Sequence, residues 1–293
     1  MKRAWDRARK IPAVGFVTEL VGLYFSKRVS RAAAELAYFL ILTFFPILIC
    51  LSAFLKQLNL DLATMLEEAN YLLPDSVIAI FRDYLNYLNG NQSVAMFITG
   101  IFLAVLFASA AMRGLMNIMH EIYGRATFLG LRQIGASVLF SLLLLVTVYL
   151  SLAVVVTGNW FLHLLGQVLR LEDLVERLGP WQWVKYVLLI AMVFLFILLL
   201  YRFTAPWEKP RPPVVPGAVA AAIALTVASM IFSEIMGNSA RYSLVYGSLT
   251  SVIILLVWLY LCGNVVVMGN VVNYVIYCRR KGKRRQGGEK ADG

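Results

Sequence analysis

Six stretches of the chain run almost free of charged residues for the length of a membrane-crossing helix: 36–55, 94–112, 134–156, 186–203, 214–236 and 249–277. About 20 apolar residues in a helix span the hydrocarbon core of a bilayer. The pattern predicts an all-α, polytopic membrane protein with about six transmembrane helices. The last stretch is long enough to tilt or to project beyond the bilayer. No Ser/Gly-rich linker and no obvious repeat divides them, so residues 32–277 read as one six-span domain. A basic cytoplasmic arm, 1–31, precedes it, and a basic disordered tail, 278–293, follows.

Helical periodicity also appears between the spans. In 58–89, Leu62, Met65, Leu66 and Ala69 recur at helical spacing, followed by Val77, Phe81, Tyr84 and Leu88. Leu73-Pro74-Asp75-Ser76 supplies a break and a fresh N-cap, which predicts a helical hairpin on the outer surface. In 160–178, Trp160, Phe161, Leu164, Leu165 and Val168 read as a second amphipathic outer helix, with Trp181 and Trp183 anchoring the next span. Val14, Val17, Val21, Tyr24 and Phe25 form one face of an amphipathic helix expected on the cytoplasmic surface.

Charge gives these elements a direction. Of the 27 Lys and Arg, only Lys56, Arg82, Arg170, Arg177, Lys185 and Arg241 fall on the side of the first, third and fifth connections. The rest lie in the N-terminal arm, the second and fourth connections and the tail, which predicts both termini inside (N-in, C-in). The chain is 60% hydrophobic and 15% charged, with a mean hydropathy of +0.76. A soluble domain carries about 25% charged residues, so lipid is the expected solvent. The net charge of +11 then points to anionic lipids at the arm and tail, not to nucleic acid. Glu19 and Lys27-Arg28 interrupt the first apolar run, so no cleaved signal peptide is expected.

Several polar residues stand out against this background. Pro46 in span one removes a backbone donor and frees the carbonyl of Leu42, predicting a packed kink or a broken helix lining a cavity. Glu35 is a carboxylate at the edge of the same span, read either as a structural ion pair with Arg31 one turn earlier or as a substrate or proton site. Glu234 has the same ambiguity, with Arg241 beyond it. Gly100, Ala104 and Ala108 in span two, and Gly217, Ala221, Ala224 and Ala228 in span five, allow close helix approach. Span four has almost no small or polar residues and is expected to face lipid. Ser137, Ser141, Thr147 and Ser151 stripe span three, Thr226, Ser229 and Ser233 span five, and Asn264, Asn270 and Asn273 span six. A polar cavity or plain interhelical hydrogen bonding accounts for all three stripes. Arg113 and Arg202, near the cytoplasmic ends of their spans, are positioned for an anionic headgroup or for snorkelling.

Catalytic chemistry finds little support. His120 and His163 lie on opposite sides of the expected membrane, and no HxxxH, P-loop or GxSxG occurs. Cys50, Cys262 and Cys278 lack CxxC spacing, so neither disulfides nor a metal site are expected. No cofactor is implied.

Several motifs resemble the YihY/BrkB family of integral membrane proteins, once labelled ribonuclease BN-like. Leu36-Ala37-Tyr38 with Thr43 and Pro46 is similar to the family's LAYxxLLSLFPL. Met116-Asn117-Ile118 and Ile122-Tyr123, with Arg125 or Arg132 behind them, resemble the stretch after its second span. Pro216-Gly217-Ala218 matches its PGA, and 242–249 (YSLVYGSL, containing Tyr246) with Leu256-Val257-Trp258-Leu259-Tyr260 its YxxIYGxL and WxY. The resemblance runs from about 20 to 277 and departs at Gly269-Asn270-Val271, where the family has GAE or GGE. It implies a six-span, multi-pass protein of the bacterial inner membrane with a role in lipid or envelope transport. The expected function is therefore a non-enzymatic transporter or translocase of a lipid-like or amphipathic substrate. Its candidate substrate residues are Glu35, Tyr38, Thr43, Pro46, Arg113, Asn117, Arg202, Ser229, Ser233, Tyr246, Asn270 and Asn273. A scaffold recruiting envelope proteins through the basic ends is the alternative. A membrane-bound ribonuclease would need a ligand cluster that the sequence does not assemble.

Overall fold

The computed structural model describes residues 12–57, 94–124, 131–169, 181–206, 211–237 and 249–289. The described residues form seven helices and no strand: α1 (Pro12–Ser26), α2 (Val29–Gln57), α3 (Val94–Ile122), α4 (Leu131–Leu169), α5 (Trp181–Thr204), α6 (Val215–Gly237) and α7 (Leu249–Glu289). Six of them, α2 to α7, are long and apolar enough to cross a membrane. The expected hairpin at 58–89 and Tyr246 lie outside the described residues. The outer helix expected at 160–178 begins as a continuation of α4, which runs unbroken to Leu169. With no proline between 131 and 169, nothing in the backbone chemistry stops the helix there.

Local chemistry sets most boundaries. Pro12 opens α1, where its missing N–H costs nothing. Lys27 and Arg28 form an elbow into α2, with Arg28 in the left-handed region at φ 52°. Gly124, at φ 68°, closes α3 by donating to Glu121 O at 3.0 Å, the usual use of glycine after a helix end. The Lys27 ammonium also donates to Glu121 O, at 2.8 Å, placing a cation at the negative end of α3. Pro46 does not break α2, which is continuous through it.

The six spans form a ring in chain order, closed by α7 packing on α2, with α3 reaching across to α5 and α7. Among the described residues, the largest buried cluster lies at one end, called the base below. Val29, Leu36, Met112, Met116, Met119, Ile122, Ile197, Leu200, Tyr201, Ala218, Ala221, Val267, Val271 and Val275 make up its core. The expectation that span four faces lipid is therefore corrected. Residues 187–196 are exposed or half-buried, but Ile197, Leu200, Tyr201 and Thr204 at its end are buried. Tyr201 brings a ring large enough to fill the space where α5, α6 and α7 converge.

Helix α1 does not use the face expected of it as a single unit. Phe16, Leu20, Leu23 and Tyr24 pack on the core, whereas Val17, Val21 and Phe25 are exposed. Tyr24 donates to Asn264 Oδ1 at 3.0 Å, and the Arg279 guanidinium meets Glu19 at 3.0 Å and lies over the Phe16 ring. These contacts fasten α1 across the lower half of α7.

Candidate functional site

The base is built around a backbone-to-backbone crossing of α6 and α7. Val214, at the position before α6, has no polar side chain to cap the helix. Asn273 of α7 does so instead: its Oδ1 accepts from Gly217 N–H at 2.7 Å and its Nδ2 donates to Val214 O at 3.1 Å. The crossing needs two glycines. A Cβ on Gly217 would run into the Gly269 carbonyl and come within 2.5 Å of the Asn273 amide. A Cβ on Gly269 would strike the Tyr201 hydroxyl, and would lie 2.7 Å from Ala221 Cβ and 2.8 Å from Gly217 O. Tyr201 donates to the Val266 carbonyl, inserting its hydroxyl beside the hydrogen-bond ladder of α7.

Beside this crossing, polar groups are buried without hydrogen-bond partners. Asn270 is fully buried, and neither its Oδ1 nor its Nδ2 is hydrogen-bonded. The Tyr123 hydroxyl is likewise unpartnered, with its ring edge-on to Tyr274 at 5.5 Å and Tyr277 at 6.4 Å. Burial, then the neighbouring Cys278, Tyr277 and Tyr274, pushes the Tyr123 phenol well above its ordinary value. His120 is buried in the preceding turn of α3. An unsatisfied buried polar group costs about 1–3 kcal/mol, so this floor is polar at the expense of stability. Sequence reasoning had picked Asn270 but not Tyr123, Tyr201 or His120 as members. Their only signal was a polar group at the end of an apolar span.

The other candidate residues divide by place. Thr43 is buried and bonds back to Phe39 O at 2.7 Å. Tyr38, 56% exposed, lies about 140° round α2 from Thr43, on the outside of the ring. Pro46 is buried. Asn117 accepts from Gln133 Nε2 and ties α3 to α4. Arg113, Arg202 and Ser229 are half-buried, and Glu35 is exposed. The backbone of Ser233 is helical. The stripe on α4 serves interhelical bonding at one point only among the described residues: Ser137 shares a 2.9 Å hydrogen bond with Ser109 of α3, while Ser141 and Thr147 bond their own helix. The ion pair expected between Arg31 and Glu35 is not formed among the described residues.

The two seams flanking α2 and α7 differ along their length. Antiparallel α2 and α3 stay close at both ends. A Cβ on Gly114 would meet Glu35 Oε1 at 3.0 Å, and one on Gly100 would meet Ile49 Cγ2 at 3.0 Å. In α6, Gly217 and Ala221 are buried against α7, and the heptad continuation of that line is Ala224, Ala228, Ile231 and Ile235. Ala224 is exposed and Ala228 half-buried, while Ile231 is 55% and Ile235 53% exposed. The α6–α7 seam is sealed at the base, and above it this line of α6 loses its burial while Phe232 beside it stays buried.

The model of the family described as Virulence factor BrkB matches residues 21–293. The chain belongs to the BrkB family. It is 25% identical over 271 residues to the "Putative ribonuclease-like protein YfkH" of Bacillus subtilis, covering 92% of this chain and 97% of that protein. A "UPF0761 membrane protein" of Stenotrophomonas maltophilia is 26% identical over 275 residues, and one of Xanthomonas oryzae 25% over 279. This BrkB chain spans 62% and 61% of those two longer relatives. No solved structure matches it. Among the described residues of this family member, no group of three or more His, Cys, Asp or Glu is placed to hold a metal ion.

Proposed function

We propose that this BrkB-family membrane protein is a non-enzymatic translocase for a lipid-like or amphipathic substrate of the bacterial inner membrane, with its base on the cytoplasmic side. One observation carries the reading: beyond the crossing sealed at Gly217–Gly269, the same line of α6 emerges to expose Ile231 and Ile235, which we read as a seam that parts towards the opposite face. A seam that is open in one leaflet and sealed in the other admits an acyl chain sideways. The polar floor beneath it, with Asn270 and Tyr123 unpartnered, offers hydrogen bonds to a headgroup. Alternating closure at the two ends would complete a transport cycle. The excess of Lys and Arg in the arm and tail supports the cytoplasmic placement of the base and attraction to anionic lipids.

The test uses purified protein in liposomes carrying a panel of fluorescent phospholipids and amphipathic solutes. Movement above that in empty vesicles is expected for at least one class. Movement indistinguishable from empty vesicles across the panel would overturn the proposal.

A further inference from the structure

Two opposite charges stand unpaired on neighbouring helices of the α2–α3 seam. Glu35 is exposed, and its carboxylate lies over Gly114, where a Cβ would meet Oε1 at 3.0 Å and Cδ at 3.2 Å. Arg113, the residue before that glycine, is half-buried. Neither forms an ion pair or hydrogen bond with the described residues. Arg31, one turn before Glu35, does not pair with it either, and Arg preceding Glu is the weaker of the two orientations on a helix.

Both charges sit inside candidate spans, Val29–Cys50 and Val94–Ile122. Glu35 lies six residues into its span, on the order of 9 Å from its start. An uncompensated charge at that depth is costly and calls for a counter-charge. No side chain among the described residues supplies one, and the exterior of the seam faces lipid. Above the charges the same exterior presents Tyr38 at 56% and Phe45 at 38% exposure on α2, with Leu103 at 37% and Leu106 at 45% on α3. This apolar strip leads away from a carboxylate that lies over Gly114 and from the arginine that precedes that glycine in α3.

We propose that this groove binds an amine-bearing phospholipid, phosphatidylethanolamine in its simplest form, from the leaflet at the base. Arg113 takes the phosphate, Glu35 takes the ammonium, Gly114 leaves room for the headgroup, and the acyl chains lie along the Tyr38–Leu106 strip. A zwitterion of this polarity satisfies both charges at once. A purely anionic headgroup is repelled by Glu35, and a quaternary ammonium has no N–H to donate to it. The site is on the outside of the ring, apart from the α6–α7 opening, and holds whether or not the protein moves lipid.

Native mass spectrometry of the full chain in detergent reads binding without any transport step. Phosphatidylethanolamine, phosphatidylcholine and phosphatidylglycerol are added at equal concentrations. Phosphatidylethanolamine is expected to bind about tenfold more tightly than the other two, the scale of one charge-assisted hydrogen bond. Glu35→Gln reduces that preference to none, and Arg113→Gln weakens binding of all three. Gly114→Ala keeps both charges but displaces the carboxylate, and also erodes the preference. Equal binding of the three lipids by the unaltered protein, or a preference that survives Glu35→Gln, overturns the assignment. Should Glu35→Gln not yield folded protein, an unchanged preference in Gly114→Ala overturns it alone.

Discussion

Replacing Gly217 by alanine places a methyl group where α6 and α7 touch through their backbones. The new Cβ would overlap the Gly269 carbonyl and lie 2.5 Å from both Cγ and Nδ2 of Asn273. A carbonyl in a helix cannot rotate away, so the two helices must move apart. Overpacking of this kind costs about 1–3 kcal/mol. The movement also stretches the bonds from Asn273 to Gly217 N–H and Val214 O, and loss of a helix cap costs about 1 kcal/mol. Alanine returns about 1 kcal/mol through its higher helix propensity. The net destabilisation is therefore about 1–3 kcal/mol. Gly135 of α4 is the control, because a Cβ there meets nothing within 4 Å. Gly135→Ala should be neutral or slightly stabilising through propensity alone. Thermal unfolding in detergent, followed by tryptophan fluorescence, compares the two variants directly. Equal melting temperatures for Gly217→Ala and Gly135→Ala would refute the crossing as described.

Other substitutions probe separate parts of the account. Asn273→Ala should cost about 0.5–2 kcal/mol in the same unfolding assay, because it removes both cap bonds of α6; no change would remove the capping role. Asn270→Leu should leave thermal stability equal or higher, since it exchanges an unsatisfied buried amide for an apolar group of similar size, while lowering lipid movement in liposomes. Unchanged movement would count against the polar floor as a binding surface. Tyr24→Phe loses the bond to Asn264 and should speed hydrogen exchange in α1 with little effect on α3. Equal exchange in α1 would show that its fastening lies elsewhere.

The spans were legible because a bilayer demands the same thing of every one of them, an uninterrupted apolar run. Gly217 was legible as a close-approach residue for a similar reason, since only a small residue permits backbone contact. What Gly217 approaches was not legible. Asn273 lies 56 residues further along the chain, and nothing local to either residue reveals that one caps the other. Tyr201 shows the same limit more sharply. It stands in a run of Leu, Ile and Phe that reads as lipid-facing, yet its hydroxyl reaches Val266 of α7, a pairing set by tertiary approach alone. Tyr38 belongs to a recognisable motif, but a motif fixes spacing and not which side of the helix the ring wall covers. Glu35 was read with its sequence neighbour Arg31, whereas the structure turns it towards Gly114, across the seam.

The α6–α7 opening is most directly tested by a photoreactive residue at position 231 in native-lipid vesicles. Ile231 continues the line that Gly217 and Ala221 bury at the base, so a closed seam would hold it against α7. An open seam predicts that illumination attaches acyl chains to α6, detected by mass spectrometry of the isolated helix. Exclusive cross-linking from position 231 to α7 would contradict it.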